Sequence, residues 1–185
     1  ASLLEKLGCS YLGVACIDEA LALRAGGITL PILVMGYTPP QLTAELIDNG
    51  LTQTVYSADM AKAYAERAAG LGKRLTVHVK IDSGMGRLGF VCHHGRDPAP
   101  EILDVLSLPG LFFEGISTHF AVADVSGDPF TEQQFNDFSA LVKHVEDKSG
   151  IRFKIKHCAN SGAMINYGWS YVDMVRPGLM LYGLY

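Results

Sequence analysis

The stretch Thr76-Val77-His78-Val79-Lys80-Ile81-Asp82 alternates strictly: Val77, Val79 and Ile81 are branched and apolar, whereas Thr76, His78, Lys80 and Asp82 are polar. Successive side chains of a β-strand point to opposite faces, so this stretch makes a strand with one greasy and one charged face. A central strand of an open, doubly wound parallel sheet is apolar on both faces. A strand whose outer face meets helices while its inner face lines a barrel mouth carries this alternation instead. Its polar residues cluster toward the C-terminal end, where barrel active sites lie. The reading is an α/β fold, a (β/α)8 TIM-type barrel.

The same rhythm extends in both directions. Residues 11–17, 31–36 and 51–56 read as strands upstream, and residues 111–120, 153–158 and 171–176 downstream. Helical stretches separate them. Asp18 is placed to cap residues 19–25, Thr38-Pro39-Pro40 opens a helix through Ile47, and Ser57 caps one through Ala69. Asp128-Pro129 starts a further helix whose Phe135, Phe138, Leu141, Val142 and Val145 fall on one face. Regular β-then-α alternation implies a parallel sheet with helical crossovers. About seven βα units can be found where a closed barrel takes eight, and the chain is shorter than the ~250 residues typical of that fold. It begins inside a helical stretch without a methionine and ends directly after a strand. We therefore expect residues 1–185 to be a single partial barrel domain, a piece of a longer protein.

Composition excludes several classes of function. The 185 residues carry 15 Lys+Arg against 19 Asp+Glu, a net charge of −4, and 49% are hydrophobic. That is enough apolar material for one sizeable core. Mild acidity spread along the chain argues against nucleic-acid partners and a polybasic membrane surface. No apolar run approaches the ~18 residues of a membrane span. Glu5, Lys6 and two early glycines do not suit a signal-peptide core. Cys9, Cys16, Cys92 and Cys158 show no CxxC spacing, which reads as reduced thiols in a reducing compartment. His93-His94 has no third ligand near it in sequence, so no metal is expected. The expectation is a soluble, intracellular chain.

Three segments could carry chemistry. In Lys80-Ile81-Asp82-Ser83-Gly84-Met85-Gly86-Arg87-Leu88-Gly89, Lys80 faces inward and the glycines let the chain turn Arg87 back over the mouth. A guanidinium there suits a carboxylate or phenolate oxygen; a glycine turn with a surface arginine reads equally well. Ser117-Thr118-His119-Phe120 ends a strand with His119 on the inward face, and His157 ends another. Either histidine taken alone also reads as a hydrogen-bonded packing residue. His157-Cys158-Ala159-Asn160-Ser161-Gly162 and Val175-Arg176-Pro177-Gly178-Leu179 follow the last two strands. If one strand precedes the chain, these are the loops where barrels commonly hold phosphate. The Ser161 hydroxyl and the N–H groups of Gly178 and Leu179 are suitable donors. Asn160 and Ser161 could instead merely cap the following turn. No GxGxxG or GxxxxGK[ST] occurs, which argues against a dinucleotide or P-loop nucleotide.

Together these segments resemble alanine racemase, a family of pyridoxal-phosphate enzymes with a β/α barrel followed by a β-domain. The carrying residues include Gly13-Val14-Ala15, Asp18-Glu19-Ala20, Leu23-Arg24 and Pro31-Ile32-Leu33-Val34-Met35-Gly36. They continue with the Lys80 to Arg87 segment, Thr118-His119-Phe120-Ala121, Ala159-Asn160-Ser161, Met174-Val175-Arg176-Pro177-Gly178 and Leu181-Tyr182-Gly183. The resemblance implies pyridoxal 5'-phosphate as cofactor and a homodimer acting on a small amino acid. It implies Arg176 against the pyridine nitrogen, and Ser161, Gly178 and Leu179 around the phosphate. Arg87 would meet the phenolic oxygen and the substrate carboxylate. Lys80 matches a lysine that is carbamylated (N6-carboxylysine) in many members, and His119, His157 and Asn160 match residues around the ring. Arg87, Arg176 and His119 would be the catalytic residues of this chain.

The departures are as informative. The family's cofactor-binding lysine lies in a Lys-Ala-Asn-Ala-Tyr-Gly type motif, which does not occur here, and its second base is a tyrosine of the β-domain. This chain alone is therefore expected to be inactive. The function implied is interconversion of L- and D-alanine in the bacterial cytoplasm, supplying D-alanine for peptidoglycan in the cell wall. A serine/alanine racemase of the same family, or a non-catalytic barrel that carries pyridoxal phosphate, are the alternatives. Barrel-type decarboxylases place a glutamate before Pro-Gly where this chain has Arg176, which argues against them.

Overall fold

A computed structural model describes residues 1–184. The elements are α1 (Ser2–Lys6), β1 (Leu12–Val14), α2 (Ile17–Ala25), β2 (Ile32–Val34), α3 (Thr43–Asp48), β3 (Leu51–Val55) and α4 (Ala58–Gly70). They continue with β4 (Leu75–Asp82), β5 (Phe90–Val91), α5 (Ala99–Leu106), β6 (Leu111–Ser117), α6 (Pro129–Ser149), β7 (Ile155–His157) and α7 (Ser161–Asn166). The strand order is β1-β2-β3-β4-β6-β7, and β5 pairs with β4. The ladders β1–β2, β2–β3, β4–β5 and β6–β7 are all parallel. The chain divides into two compact units: residues 1–55, 59–78 and 108–112 form one, and residues 56–58, 79–107 and 113 onward the other.

In the first unit, β1 and β2 pair with Leu12 opposite Ile32, and β2 and β3 with Ile32 opposite Leu51. Strand β3 is buried at all five positions, as expected of a parallel strand covered on both sides. Ile32, Val34, Leu46, Leu51, Val55, Tyr64, Leu75 and Val77 form its buried interior. The buried Tyr64 hydroxyl donates to the Thr38 carbonyl, which satisfies the one polar atom of that ring. Arg24 ties the unit's turns together. Its Nε donates to Asn49 O at 2.8 Å, Nη1 to Ile28 O and Leu30 O at 2.9 and 2.8 Å, and Nη2 to Gly50 O at 3.2 Å.

In the second unit, β6 and β7 pair with Gly115 opposite Ile155. Val79, Ile81, Ile102, Val105, Ile116, Phe120, Phe138 and Val145 are buried there. Helix α6 starts as its sequence implies, with the Asp128 carboxylate accepting from Phe130 N at 2.8 Å and Pro129 at the first helical position.

Local structure differs from the sequence reading in several places. The N-cap of α2 is Cys16, not Asp18; Glu19 Oε2 accepts from Ala15 N at 2.7 Å and draws the helix start back. The proline pair opens a 3-10 turn, Pro40–Leu42, before α3 begins. Strand β5 and helix α5 have no counterpart in that reading. The seventh strand expected over residues 171–176 reduces to one bridge, Met174 with His157. Lys156 N donates at 2.8 Å to the Asp173 carboxylate, so a side chain takes a donor that a continued ladder would have used.

Replacing Arg24 by Ala in the intact protein should lower stability by about 2–3 kcal/mol, given several charge-assisted bonds at a partly exposed position. Lys, lacking the planar fork, should restore less than half. Urea denaturation midpoints would test this, and an unchanged midpoint for Arg24→Ala would count against the clamp.

Candidate functional site

All of the candidate residues lie in the second unit. The apolar residues Val79 and Ile81 fix β4 in its core, and the alternation then sets Lys80 and Asp82 on the other face. Asp82 winds the loop that follows. Its Oδ1 accepts from Gly84 N and Gly86 N at 3.0 Å each, and its Oδ2 from Arg87 N at 3.0 Å. Burial alone would raise the Asp82 pKa, but the N–H groups of Gly86, Gly84 and Arg87 and the nearby Lys80 charge hold it below the ordinary value. Gly89 closes the turn with φ of +139°, and a β-carbon there would lie 2.4 Å from Asp82 N. Only glycine fits.

Arg176 is the hub of the cluster. Its Nη1 meets His157 Nδ1 at 2.5 Å, and Nη2 donates to Thr118 O at 2.8 Å and Cys158 O at 3.0 Å. Since a guanidinium only donates, His157 Nδ1 must be the unprotonated nitrogen. Burial pushes Arg176 down to about 10, so it stays charged at any physiological pH. His119 Nδ1 stands 3.4 Å from Arg176 Nη2, and His119 Nε2 stands 3.5 Å from Asn160 Nδ2.

Charge follows from this packing. Burial, then the Arg176 charge, and finally Arg87 lower the Lys80 pKa to about 7, against the pull of Asp82. Its Nζ donates to Ile81 O at 2.7 Å. Burial and the charges of Arg176, Lys80 and Arg87 lower His119 to about 4, so that ring is neutral near pH 7. The carboxylate acting on Lys80 is Asp82, whose oxygens already receive three backbone N–H groups. The cluster therefore holds positive charge that its own residues leave unneutralised.

Beside it, Ser161 Oγ accepts from Gly178 N at 2.9 Å and Met180 N at 3.3 Å. Leu179 opens the 3-10 turn Leu179–Tyr182, so Ser161, Gly178 and Leu179 do come together. Asn160 caps α7 through Oδ1, which accepts from Ala163 N at 3.0 Å, while its amide nitrogen faces His119. The capping and site readings of Asn160 are thus compatible. A set of cationic and neutral donors with a serine hydroxyl suits an anion with several oxygens, as an aromatic phosphate ester has.

Sequence reasoning missed Asp82 as the organiser of the loop, though an Asp followed by glycines two and four residues on is a turn signal. It also missed Gln134, a fully buried amide on the core face of α6 that accepts from Ala121 N at 2.9 Å. Its signal was a polar residue in the apolar register of Phe138, Leu141 and Val145.

The comparisons with known proteins agree with one another. The family model described as alanine racemase, N-terminal domain, matches residues 1–185. The chain belongs to the alanine racemase family. An alanine racemase of Desulfovibrio desulfuricans is 46% identical over 178 residues, which cover 96% of this chain and 47% of that protein. A solved alanine racemase of Clostridium difficile superposes with a TM-score of 0.92 at 41% identity, covering 100% of this chain and 47% of that one. A histidine racemase of Leuconostoc mesenteroides matches with a TM-score of 0.85 at 28% identity, over 99% of this chain and 48% of its own. The fold class is thus that of the family's barrel domain, with six strands on the main path of the sheet. The chain spans about half the length of the curated relatives it matches, 47% for the first of them.

Asp82 allows a pH test. Because its folded pKa is depressed, its contribution is fully present above the ordinary aspartate range and is lost as pH falls through the lowered value. Asp82→Asn should therefore destabilise the intact protein at neutral pH, with the difference shrinking on acidification. Denaturation midpoints of the two proteins across pH would show it, and a pH-independent difference would argue against the carboxylate's role in the loop.

Proposed function

We propose that this chain is the barrel portion of a pyridoxal-phosphate-dependent alanine racemase, an isomerase that interconverts L- and D-alanine. In this reading residues 1–185 form one cofactor-binding domain of a cytoplasmic bacterial homodimer that supplies D-alanine for peptidoglycan. The supporting observation is the cation cluster of Lys80, Arg87 and Arg176 around neutral His119, with the Ser161–Gly178 pair beside it. Family membership supports the reaction class. No helix among the described residues is long and apolar enough to cross a membrane.

When bound, pyridoxal phosphate supplies an electron sink for the charge left when an amino acid loses its α-proton. The chain's residues divide the remaining work. Ser161 already accepts two backbone N–H groups, so its own hydroxyl proton is left to donate to a phosphate oxygen. Of the two backbone N–H groups expected at the phosphate, that of Gly178 is already given to Ser161 Oγ, so only that of Leu179 would add to that cradle. Arg176, charged at all relevant pH, would face the pyridine nitrogen and yield no proton to it. His157, which accepts from Arg176, and Asn160, which stands beside His119, would line the ring. Arg87, on its glycine loop, would bind the substrate carboxylate and the phenolic oxygen.

Lys80 is the modifiable group. With a pKa near 7 much of its amine is unprotonated, and the free lone pair can add to carbon dioxide with loss of one N–H proton. The resulting N6-carboxylysine would set a negative charge among Arg87 and Arg176 and turn repulsion into attraction.

The intact protein should bind pyridoxal phosphate and racemise alanine. Assays on alanine, serine and histidine in parallel would separate the substrate readings. Cofactor binding without turnover of any amino acid would favour a carrier. In the same protein, carbon-13 bicarbonate should give a carbamate resonance that Lys80→Arg abolishes, together with a substrate KM raised roughly tenfold by the misplaced Arg87. A protein without that resonance, or a variant with unchanged kinetics, would remove Lys80 from the site.

A further inference from the structure

Helix α6 reaches the cluster with two residues one turn apart, Phe130 and Gln134, at positions that share a helical face. A β-carbon added to Gly84 would lie 2.7 Å from Phe130 Cζ and 3.4 Å from Gln134 Nε2, so both side chains abut the loop that carries Arg87. Gln134 is 0% exposed. Its Oε1 accepts from Ala121 N at 2.9 Å, and its Nε2 donates to His119 O at 3.3 Å. The amide therefore acts as a short strand partner across Phe120, beyond the end of β6. Thr118 N still donates to His157 O at 3.2 Å. His119 O and Ala121 N depend on α6.

The ring of His119 is held less firmly than its backbone. Its contacts with Arg176 and Asn160, 3.4 and 3.5 Å, lie beyond the usual range of a strong N–H bond. Where that ring stands is then decided chiefly by the course of residues 119–121. A buried amide is costly unless both its ends are used, and both ends of Gln134 fall on the two residues that flank Phe120.

We propose that Gln134 is a positioning residue for the anion site: its side-chain amide fixes the backbone of His119 and Ala121 and, through Gly84, the loop of Arg87. This rests on the cofactor-site reading of the cluster. Gln134 touches no reacting atom in this role; it sets the distance between the two arms that do.

The test uses the intact protein, nitrogen-15 labelled at histidine, with His119 assigned from its own substitution. Gln134→Leu should displace the His119 ring resonances of the cofactor-free protein and let the ring titrate at higher pH. It should also raise the dissociation constant for pyridoxal phosphate about tenfold, as expected for loss of a pair of buried bonds. Thr131→Val is the control. Thr131 is buried on the same helix, and its hydroxyl has no hydrogen-bond partner among the described residues. It should move neither quantity. Should Gln134→Leu fail to fold, Gln134→Glu keeps the acceptor for Ala121 N but donates to His119 O only while protonated. Its His119 signal should match the parent at low pH and depart from it once the carboxyl ionises.

Ring resonances and cofactor affinity that match the parent in Gln134→Leu, or in Gln134→Glu across the whole pH range, would overturn the proposal, as would equal displacement by Thr131→Val. If the parent binds no pyridoxal phosphate but the ring signal still follows Gln134, positioning stands and the cofactor reading fails.

Discussion

Arg176 commits Nη2 to the carbonyls of Thr118 and Cys158 and Nη1 to His157, so the residue just beyond β6 and the residue just beyond β7 hang on one cation. A lysine could not do this, because a point charge on a flexible stem lacks the rigid fork that spans three acceptors. The partners are carbonyl and imidazole dipoles. They accept from Nη1 and Nη2 and leave the charge itself unneutralised. Burial and then its field lower both Lys80 and His119, which leaves His119 neutral near neutral pH and Lys80 divided between its charged and uncharged forms. One interaction fixes both the geometry of the site and its electrostatics.

Strand β4 serves two ends in the same way. Val79 and Ile81 lie in the core with no exposure, and Lys80 and Asp82 alternate with them. A slip of one residue would exchange the two sets, so burial of the apolar face locks the register of the polar one. Asp82 then converts strand register into loop geometry through its three accepted N–H groups, and Gly89 lets the returning chain pass against Asp82 N.

The fold was legible because it rests on period and order, which a sequence records directly. The alternation in residues 76–82 marked a half-polar strand, the apolar face of residues 135–145 marked α6, and Asp128-Pro129 marked its start. Of the expected site residues, His119, His157, Asn160 and Ser161 stand at or just beyond the ends of β6 and β7, as strand order implied, whereas Lys80 lies inside β4 and Arg176 follows only a bridge. What escaped the sequence was bonding at a distance. Asp173 replaces a backbone acceptor for Lys156 and so trims the expected seventh strand to a bridge. Gln134 looked like one polar residue among the core positions of α6, and only the packing of that helix beside residues 119–121 shows what its amide does.

The cluster also has a thermodynamic consequence. Gathering Lys80, Arg87 and Arg176 works against folding, because burial and like charges both disfavour their ionised forms; the fall of Lys80 from 10.5 to about 7 records that strain. Such a site persists only where a surrounding frame over-determines it. Here the frame is made of the Arg176 fork, the Asp82 loop and the Gln134 amide, each closed by hydrogen bonds within the chain. An anion entering the cluster then meets donors that are already placed, and it relieves repulsion that was present before it arrived. Any anion that binds the folded form and not the unfolded chain must raise stability in proportion to the logarithm of its concentration over its dissociation constant. The strain at Lys80 and the affinity for an anion are thus two aspects of one electrostatic arrangement.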